Sequence, residues 1–315
     1  MQKKIAFKYR NRCRKLIKSM YKFRYEYLLL LPIIIFFILF NYIPMFGATI
    51  AFKEFNFKLG IFKSPWIGFY NFRRLFGSIS FMQVFLNTII ISFLKIIFCF
   101  PAPIILALII NEIESIKLKK FFQTVSYMPY FFSWVIIAII IEELLSPSHG
   151  VVNYIISLFG KEPIYFLTEA GMFRGIIIVS ALWQSVGWGT IIYLAAITGI
   201  DTVQYEAAYI DGATRFQIIR RIIIPSILPV ISIMLILTLG GIMNAGFEQI
   251  FNLYNPMVYK TGDIIDTYVY RIGLVDFNYS YATAVNLFKN TIGFVLLFST
   301  NIVVRKLGEG ENALW

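Results

Sequence analysis

Glu206-Ala-Ala-Tyr-Ile-Asp-Gly-Ala-Thr-Arg-Phe-Gln-Ile-Ile-Arg-Arg-Ile-Ile-Ile-Pro225, with Pro229 close behind, is a soluble, charged, Ala/Gly-punctuated segment between two long apolar segments. Just ahead of it, Asp201 and Thr202 can cap a short helix, because a small oxygen-bearing side chain accepts from the first free N–H groups. Glu206 falls in the first turns of that helix, where a carboxylate suits the positive end. Ala207 and Ala208 leave one face low, so that another protein can approach closely. Asp211-Gly212 then reads as a turn, since Gly tolerates the left-handed conformation that ends a helix. A second short basic helix follows with Arg215, Arg220 and Arg221, and Pro225 can open the next apolar helix where its missing N–H costs least.

On both sides of this segment the chain is strongly apolar. Hydrophobic residues make up 58% of its 315 positions, and the mean hydropathy is +0.72. A soluble domain of this size cannot hide that much apolar surface, so the expected fold class is an all-α polytopic membrane protein. Only 15% of residues are charged, yet the net charge is +12. In a membrane protein the first explanation of a basic excess is topology, and no interleaved Arg/aromatic pattern argues for nucleic acid. Cys13 lies in the basic N-terminus and Cys99 in an apolar helix, so no disulfide is expected. His149 is the only histidine, which excludes a His-cluster metal site. No G-x-x-x-x-G-K-[ST] occurs, so the chain has no phosphate loop of its own. Glu142 and Glu143 diverge by ~100° on a helix and are no catalytic dyad, and no Ser/His/Asp set appears.

Residues 1–26 carry ten Lys/Arg and read as a retained cytoplasmic tail, the basic and apolar runs being too long for a cleaved signal peptide. Helix 1 follows near Tyr27–Phe46; about 20 residues at ~1.5 Å each match a ~30 Å hydrocarbon core. Helix 2 is expected within Phe85–Ile110, helix 3 within Phe121–Leu145 and helix 4 within Met172–Thr198. Helix 5 is expected over Ile222–Phe247 and helix 6 over Tyr281–Val304. Loop 111–120 carries Lys117, Lys119 and Lys120, loop 199–221 three Arg, and Arg305-Lys306 close the last helix; loop 146–171 has Lys161 alone among Lys and Arg. Basic residues thus alternate between loops, predicting six helices with both termini cytoplasmic, loop 47–80 being a partial exception. The expected organisation is a basic tail 1–26, a first helix with its external segment 27–80, a transmembrane domain 81–306 holding loop 201–225, and a cytoplasmic tail 307–315. No internal repeat or separate soluble domain is visible.

Several polar residues lie inside the apolar segments. Lys95 sits within helix 2, and either faces a cavity or a partner or snorkels towards the outer interface. Pro101 and Pro103 are expected to bend that helix. Helix 6 places Asn286, Lys289, Asn290 and Gly293 on one stripe at i, i+3, i+4 and i+7, which should face protein or a watery path. Helix 5 adds Asn244, with Glu248 and Gln249 just beyond, and helix 4 adds Trp183, Gln184 and Trp188. Amides that exchange hydrogen bonds with vicinal hydroxyls and rings that cover C–H faces together suit carbohydrate. Interhelical amide contacts are the plainer alternative for any one of them. External segment 248–280, with Asp263, Asp266, Arg271 and Asp276, reads either as a landing surface for a substrate-delivering protein or as a solvated loop with interfacial tyrosines.

The opening segment resembles the cytoplasmic loop of permease subunits of ATP-binding-cassette (ABC) importers: E-A-A, three residues, G, nine residues, I, one residue, hydrophobic, P. Gly212 and Ile222 fall in register and Asp211-Gly212-Ala213 matches the D-G-A variant, while Ile224 stands where the family usually has Leu. Trp66-Ile-Gly-Phe-Tyr-Asn-Phe72, Asn87-Thr88, Phe100-Pro-Ala-Pro103, Tyr127-Met-Pro129, Gly150-Val-Val-Asn153, Phe247-Glu-Gln-Ile-Phe251 and Asp266-Thr-Tyr-Val-Tyr270 extend the resemblance, which is nearest to the LplB-like polysaccharide and oligosaccharide permeases of the MetI-like, type I class. The resemblance implies a multi-pass protein of the prokaryotic cell membrane that imports an oligosaccharide. It implies pairing with a second, homologous permease on two ATPase subunits, with substrate delivered by an extracytoplasmic binding protein. ATP and Mg would be used by the ATPases, this chain binding no cofactor and catalysing no bond chemistry. The coupling residues it implies are Glu206, Ala207, Ala208, Asp211, Gly212, Ala213, Arg215 and Pro225. The alternatives are a permease for a non-sugar solute such as a peptide or amino acid, and a secondary transporter working without ATP, for which no paired membrane carboxylates are visible.

Overall fold

The computed structural model describes residues 22–307; most of the expected tail 1–26 and residues 308–315 of the expected tail 307–315 lie outside the described residues. Among the described residues the structure is helical throughout, apart from an isolated antiparallel bridge between Lys53 and Trp66. It divides into two compact units, the first ending at Phe69 and the second beginning at Tyr70.

In the first unit, α1 (Arg24–Phe37) continues through a π turn and a 3-10 stretch as one apolar span, Arg24–Phe52, longer at both ends than expected. The chain then folds back on itself. Trp66 stacks on Phe52 at 5.6 Å between ring centroids, and the Lys53 ammonium lies over the same indole and donates to the Ile61 carbonyl at 2.8 Å.

The second unit holds the remaining apolar spans. The first is α2 (Ile79–Cys99) and α3 (Pro101–Asn111), which run as one 33-residue span through Pro101. Ser78 opens it by accepting from the Phe81 N–H. Next, α4 (Ile116–Tyr127) and α5 (Trp134–Leu145) replace the expected straight helix 3, and they meet at 102°. The reason lies in Met128–Ser133. A 3-10 turn contains Pro129, Phe132 and Ser133 are extended, and the Ser133 hydroxyl accepts from the Ile136 N–H to start a new helix. At 12 residues, ~18 Å, α5 alone is too short for a ~30 Å core.

The 29-residue α6 (Ala170–Thr198) packs against α2, α3 and α4. Gly187 makes this possible: a Cβ there would overlap the Ser126 carbonyl, so the two backbones touch. After the short α7 (Thr202–Ile210), the next span runs Arg215–Gly240 and contains α8 (Ile224–Gly240), seven residues ahead of the expected Ile222–Phe247. Pro225 stands in the first turn of α8, as expected, but does not open the span, which begins ten residues earlier at Arg215. It follows a wider π turn, Ile219–Ile223, inside it. The Gly240-Gly241 pair ends the helix, and α9 (Phe247–Leu253) and α10 (Ile265–Tyr270) follow before the last helix α11 (Tyr279–Leu307), which packs against α8 and α10.

Among the described residues five helices are long and apolar enough to cross a membrane, six if the bent pair counts as one span. Three apolar clusters tie the second unit together. One joins Phe173 and Ile177 to Ile250 and Ile264, one joins Phe81 and Val84 to Tyr281 and Val285, and one joins Ile110, Leu194 and Ile197 to Ile218 and Ile227.

Candidate functional site

The segment between α6 and α8 is a tightly turned helical pair. Asp201 caps α7 by accepting from the Val203 N–H at 3.0 Å. Glu206 lies in the second turn, beyond the first-turn N–H groups. At the far end the Gly212 N–H reaches the Tyr209 carbonyl at 3.1 Å and the Ala213 N–H reaches Ala208 at 2.9 Å. This is the Schellman closure, and it requires the φ of +71° that Gly212 adopts. Thr214 and Gln217 then form a reciprocal capping box that starts the next helix.

The two faces of α7 differ. Ala208 and Tyr205 turn inward with Ala213 onto the apolar cluster beneath. Val203, Glu206, Ala207 and Ile210, spaced i, i+3, i+4 and i+7, are all exposed, Ile210 at 86%. The low outer face is therefore made by Ala207 alone, between two large apolar side chains that the sequence reading did not single out. Inward, Arg215 binds Glu114 at 2.8 Å and Glu112 at 3.7 Å, which ties the segment to the turn after α3 across a cleft of about 410 Å³. Burial there raises the Tyr205 hydroxyl above its ordinary pKa, with Glu112 and Tyr209 adding to it.

Two cavities adjoin within the helices, sharing Asn244. The first, about 350 Å³, is lined by Ser92, Lys95, Tyr130, Trp188 and Thr238 among others. Lys95 is paired: its ammonium donates to the Ala245 carbonyl at 2.7 Å and to Gln249 Oε1 at 2.5 Å. Gln249 is 1% exposed and passes the connection on, donating to the Ile177 carbonyl at 2.6 Å and the Ser180 hydroxyl at 2.8 Å. Its amide thus joins α2, α6 and α9. Trp188 stacks on Tyr130 at 4.5 Å with rings 2° from parallel, and Phe131 meets the same indole edge-on.

The second cavity, about 590 Å³, is lined by Phe247, Tyr270, Tyr279, Asn286, Lys289 and Asp266. Lys289 and Asp266 form an ion pair at 2.5 Å, with the lysine side chain 7% exposed. The helix 6 stripe is therefore divided, Lys289 buried and Asn286 and Asn290 exposed. Trp183 lines a separate, mostly apolar cavity; Gln184, Glu248 and Asn290 line neither of the two adjoining ones.

Tyr130 and Ser92 are not singled out in the sequence, and Phe247 and Tyr270 enter there only within phrases that carry the resemblance, not as cavity residues. Tyr130 was within reach of it, because the Pro129 that breaks helix 3 is what returns the next ring to α6.

Segment 248–280, expected to be external, is clamped. The Asn87 amide donates to the Lys260 and Asp263 carbonyls, both at 3.1 Å, and accepts from Arg174 at 2.8 Å. Thr88 accepts from the Ile265 N–H at 2.9 Å. Asp263 pairs with Arg271 at 2.5 Å. Burial works against the Arg271 charge, and the hydrogen bond and charge of Asp263 outweigh it, so the guanidinium is held above its ordinary range. Burial, with Tyr259 adding to it, pushes the Tyr254 hydroxyl up to about 12.

Residues 85–309 match the family described as "Binding-protein-dependent transport system inner membrane component". The chain is 41% identical over 286 residues to Protein LplB of Bacillus subtilis (strain 168), covering 91% of this chain and 90% of that one. It is 42% identical over 305 residues to the polygalacturonan/rhamnogalacturonan transport system permease protein YteP of the same organism, covering 97% and 95%. A chain from a bacterial ABC transporter involved in the import of the acidic polysaccharide alginate superposes with a TM-score of 0.88 at 43% identity, covering 93% of this chain and 99% of that one. A second structure shows a bacterial alginate ABC transporter in complex with its alginate pentasaccharide-bound periplasmic protein; its matching chain has a TM-score of 0.86 and 42% identity, covering 92% and 97%.

Proposed function

We propose a function from one premise: the chain belongs to the family of binding-protein-dependent transport system inner membrane components, and it is a multi-pass ABC importer permease of the prokaryotic cell membrane. From there, the solute is a carbohydrate of several sugar units, delivered by an extracytoplasmic binding protein. This chain forms one half of the pathway beside a second, homologous permease, and two ATPase subunits bind ATP and Mg beneath them. Both termini and loop 201–225 then lie in the cytoplasm, within a transmembrane domain spanning 81–306.

The exposed face Val203–Glu206–Ala207–Ile210 is the observation that carries this reading. It is a short, capped helix with two large apolar side chains, a carboxylate and a central methyl, all uncovered in this chain. Such a face fits a groove on a soluble partner, where apolar area supplies affinity and the charge supplies register. The sugar reading is supported by the aromatic and amide lining of the two cavities, in which Trp188, Asn244, Asn286 and Phe247 contact substrate while Gln249 and Lys289 brace the walls. It is also in keeping with the polysaccharide names of YteP and the alginate transporter.

The test is to co-purify the tagged chain in mild detergent and identify its companions by mass spectrometry, then reconstitute the complex and measure ATP-dependent uptake of oligosaccharides. A second permease, an ATPase and sugar uptake are expected. A stable homo-oligomer that transports without ATP would overturn the reading.

A further inference from the structure

We propose that Lys95 and Ser92 form a carboxylate-binding subsite in the cavity they share, so that the transported oligosaccharide is acidic, bearing uronic acid units. The proposal rests on the carbohydrate reading above and narrows its substrate class.

An ammonium has three N–H donors. Two of those on Lys95 go to the Ala245 carbonyl and the Gln249 amide oxygen, both neutral. Among the described residues Lys95 forms no ion pair, and no Asp or Glu lines its cavity. Ser92 lies three positions earlier on the same helix face and lines the same cavity. It is 4% exposed, and among the described residues its Oγ has no hydrogen-bond partner. One cavity therefore holds a cation without a counter-charge and a buried hydroxyl without an acceptor, side by side.

The neighbouring cavity shows the contrast. There a second lysine within an apolar span, Lys289, is matched by Asp266. An ionisable group within a membrane segment is by default a pathway candidate, and one without a counter-charge the more so. A carboxylate satisfies both donors at once through charge-assisted hydrogen bonds. The Trp188–Tyr130 stack on the same cavity offers a ring face to the sugar that carries it.

The test uses the complete complex, with its partner permease, ATPases and binding protein, in proteoliposomes. Import of trigalacturonate is compared with that of its fully methyl-esterified, neutral form, for wild type, Lys95→Gln and Lys95→Arg. The expected result is that Lys95→Gln slows trigalacturonate import about tenfold or more and leaves the ester within about twofold, while Lys95→Arg keeps most of the acidic import. Equal loss for both substrates, or equal damage from both substitutions, would overturn the proposal. Lys95 would then only brace the Ala245–Gln249 turn.

A second measurement does not depend on the sugar. Cys99 lines the same cavity, and a Cys13→Ser background leaves it the sole thiol. The ratio of its reaction rates with an anionic and a cationic methanethiosulfonate reagent should fall about fivefold or more in Lys95→Gln. An unchanged ratio, or no reaction with either reagent, would overturn the subsite, because no anion would meet a free charge there. If the wild-type complex imports neither of these nor any other oligosaccharide in the uptake test above, the carbohydrate reading fails, and the Cys99 ratio alone upholds or overturns the anion subsite.

Discussion

Lys289 and Asp266 meet as an ion pair on the wall of the second cavity. The 3.6-residue period places Lys289 on a stripe with Asn286 and Asn290, of which Lys289 is buried and, with Asn286, lines the second cavity, while Asn290 is exposed and lines neither. The partner of Lys289 was not legible, because Asp266 lies on α10 and only the folding of that segment onto α11 brings the two together at 2.5 Å. The same holds for Asn87-Thr88, a recognisable phrase whose work, clamping residues 260–265, depends on main-chain atoms more than 170 positions away. With side chains 7% and 21% exposed, the Lys289–Asp266 pair is a buried one, and removing either charge strands the other. Lys289→Met or Asp266→Asn should each cost about 3–5 kcal/mol. The double variant Lys289→Met/Asp266→Leu should cost clearly less than the sum, since it leaves no lone charge. Thermal unfolding of the purified protein in detergent reads all three; additive losses would mean the two groups do not interact.

The bent pair α4–α5 carries the corresponding lesson for elements. Composition made Phe121–Leu145 apolar enough to be drawn as one helix, and a hydropathy average does not register that Pro129 and Ser133 place a stop and a start in its middle. The shift of the fifth span to Arg215–Gly240 has a similar cause. Its first turn is basic and looks like loop, yet Thr214 and Gln217 cap it as helix, and the Gly240-Gly241 pair ends it before Phe247. The break matters for topology. If α4 and α5 together make one crossing, the chain has six and both ends share a side; if they dip in and return, it has five and the ends are opposed. The lysines of α4, at 117, 119 and 120, favour the cytoplasmic side for its start. We therefore expect a crossing. In a Cys13→Ser/Cys99→Ser background, Lys119→Cys should react with a membrane-impermeant maleimide only in inside-out vesicles, and Ser148→Cys only in intact cells. Labelling of both from the same side would make the pair re-entrant.

For the molecule as a machine, the spacing of Glu206, Gly212 and Pro225 marks the proposed coupling segment in the sequence, while the surface that segment presents is visible only in three dimensions. Val203 and Ile210 look like ordinary apolar loop residues in the chain. Only the turn at Gly212, which sends Ala208 and Ala213 inward, leaves them outside. If closure of the ATPases moves α7 as a rigid body, force must pass through that face and then through the capped turn into the Arg215–Gly240 span and, by way of Arg215, into Glu112 and Glu114 after α3. The two parts of that route should fail differently. Glu206→Lys and Ile210→Asp alter exposed side chains, so the chain should insert and melt as wild type while losing its ATPases during purification. Gly212→Val changes no outward contact. It forces a β-branched residue into the left-handed region, where even an ordinary side chain costs roughly 1–2 kcal/mol, and the turn reopens. The ATPases should then remain bound and hydrolyse ATP while import falls. Measuring co-purified ATPase, ATP turnover and vesicle uptake on the three variants separates docking from transmission. Full uptake by Gly212→Val would show that the turn transmits nothing.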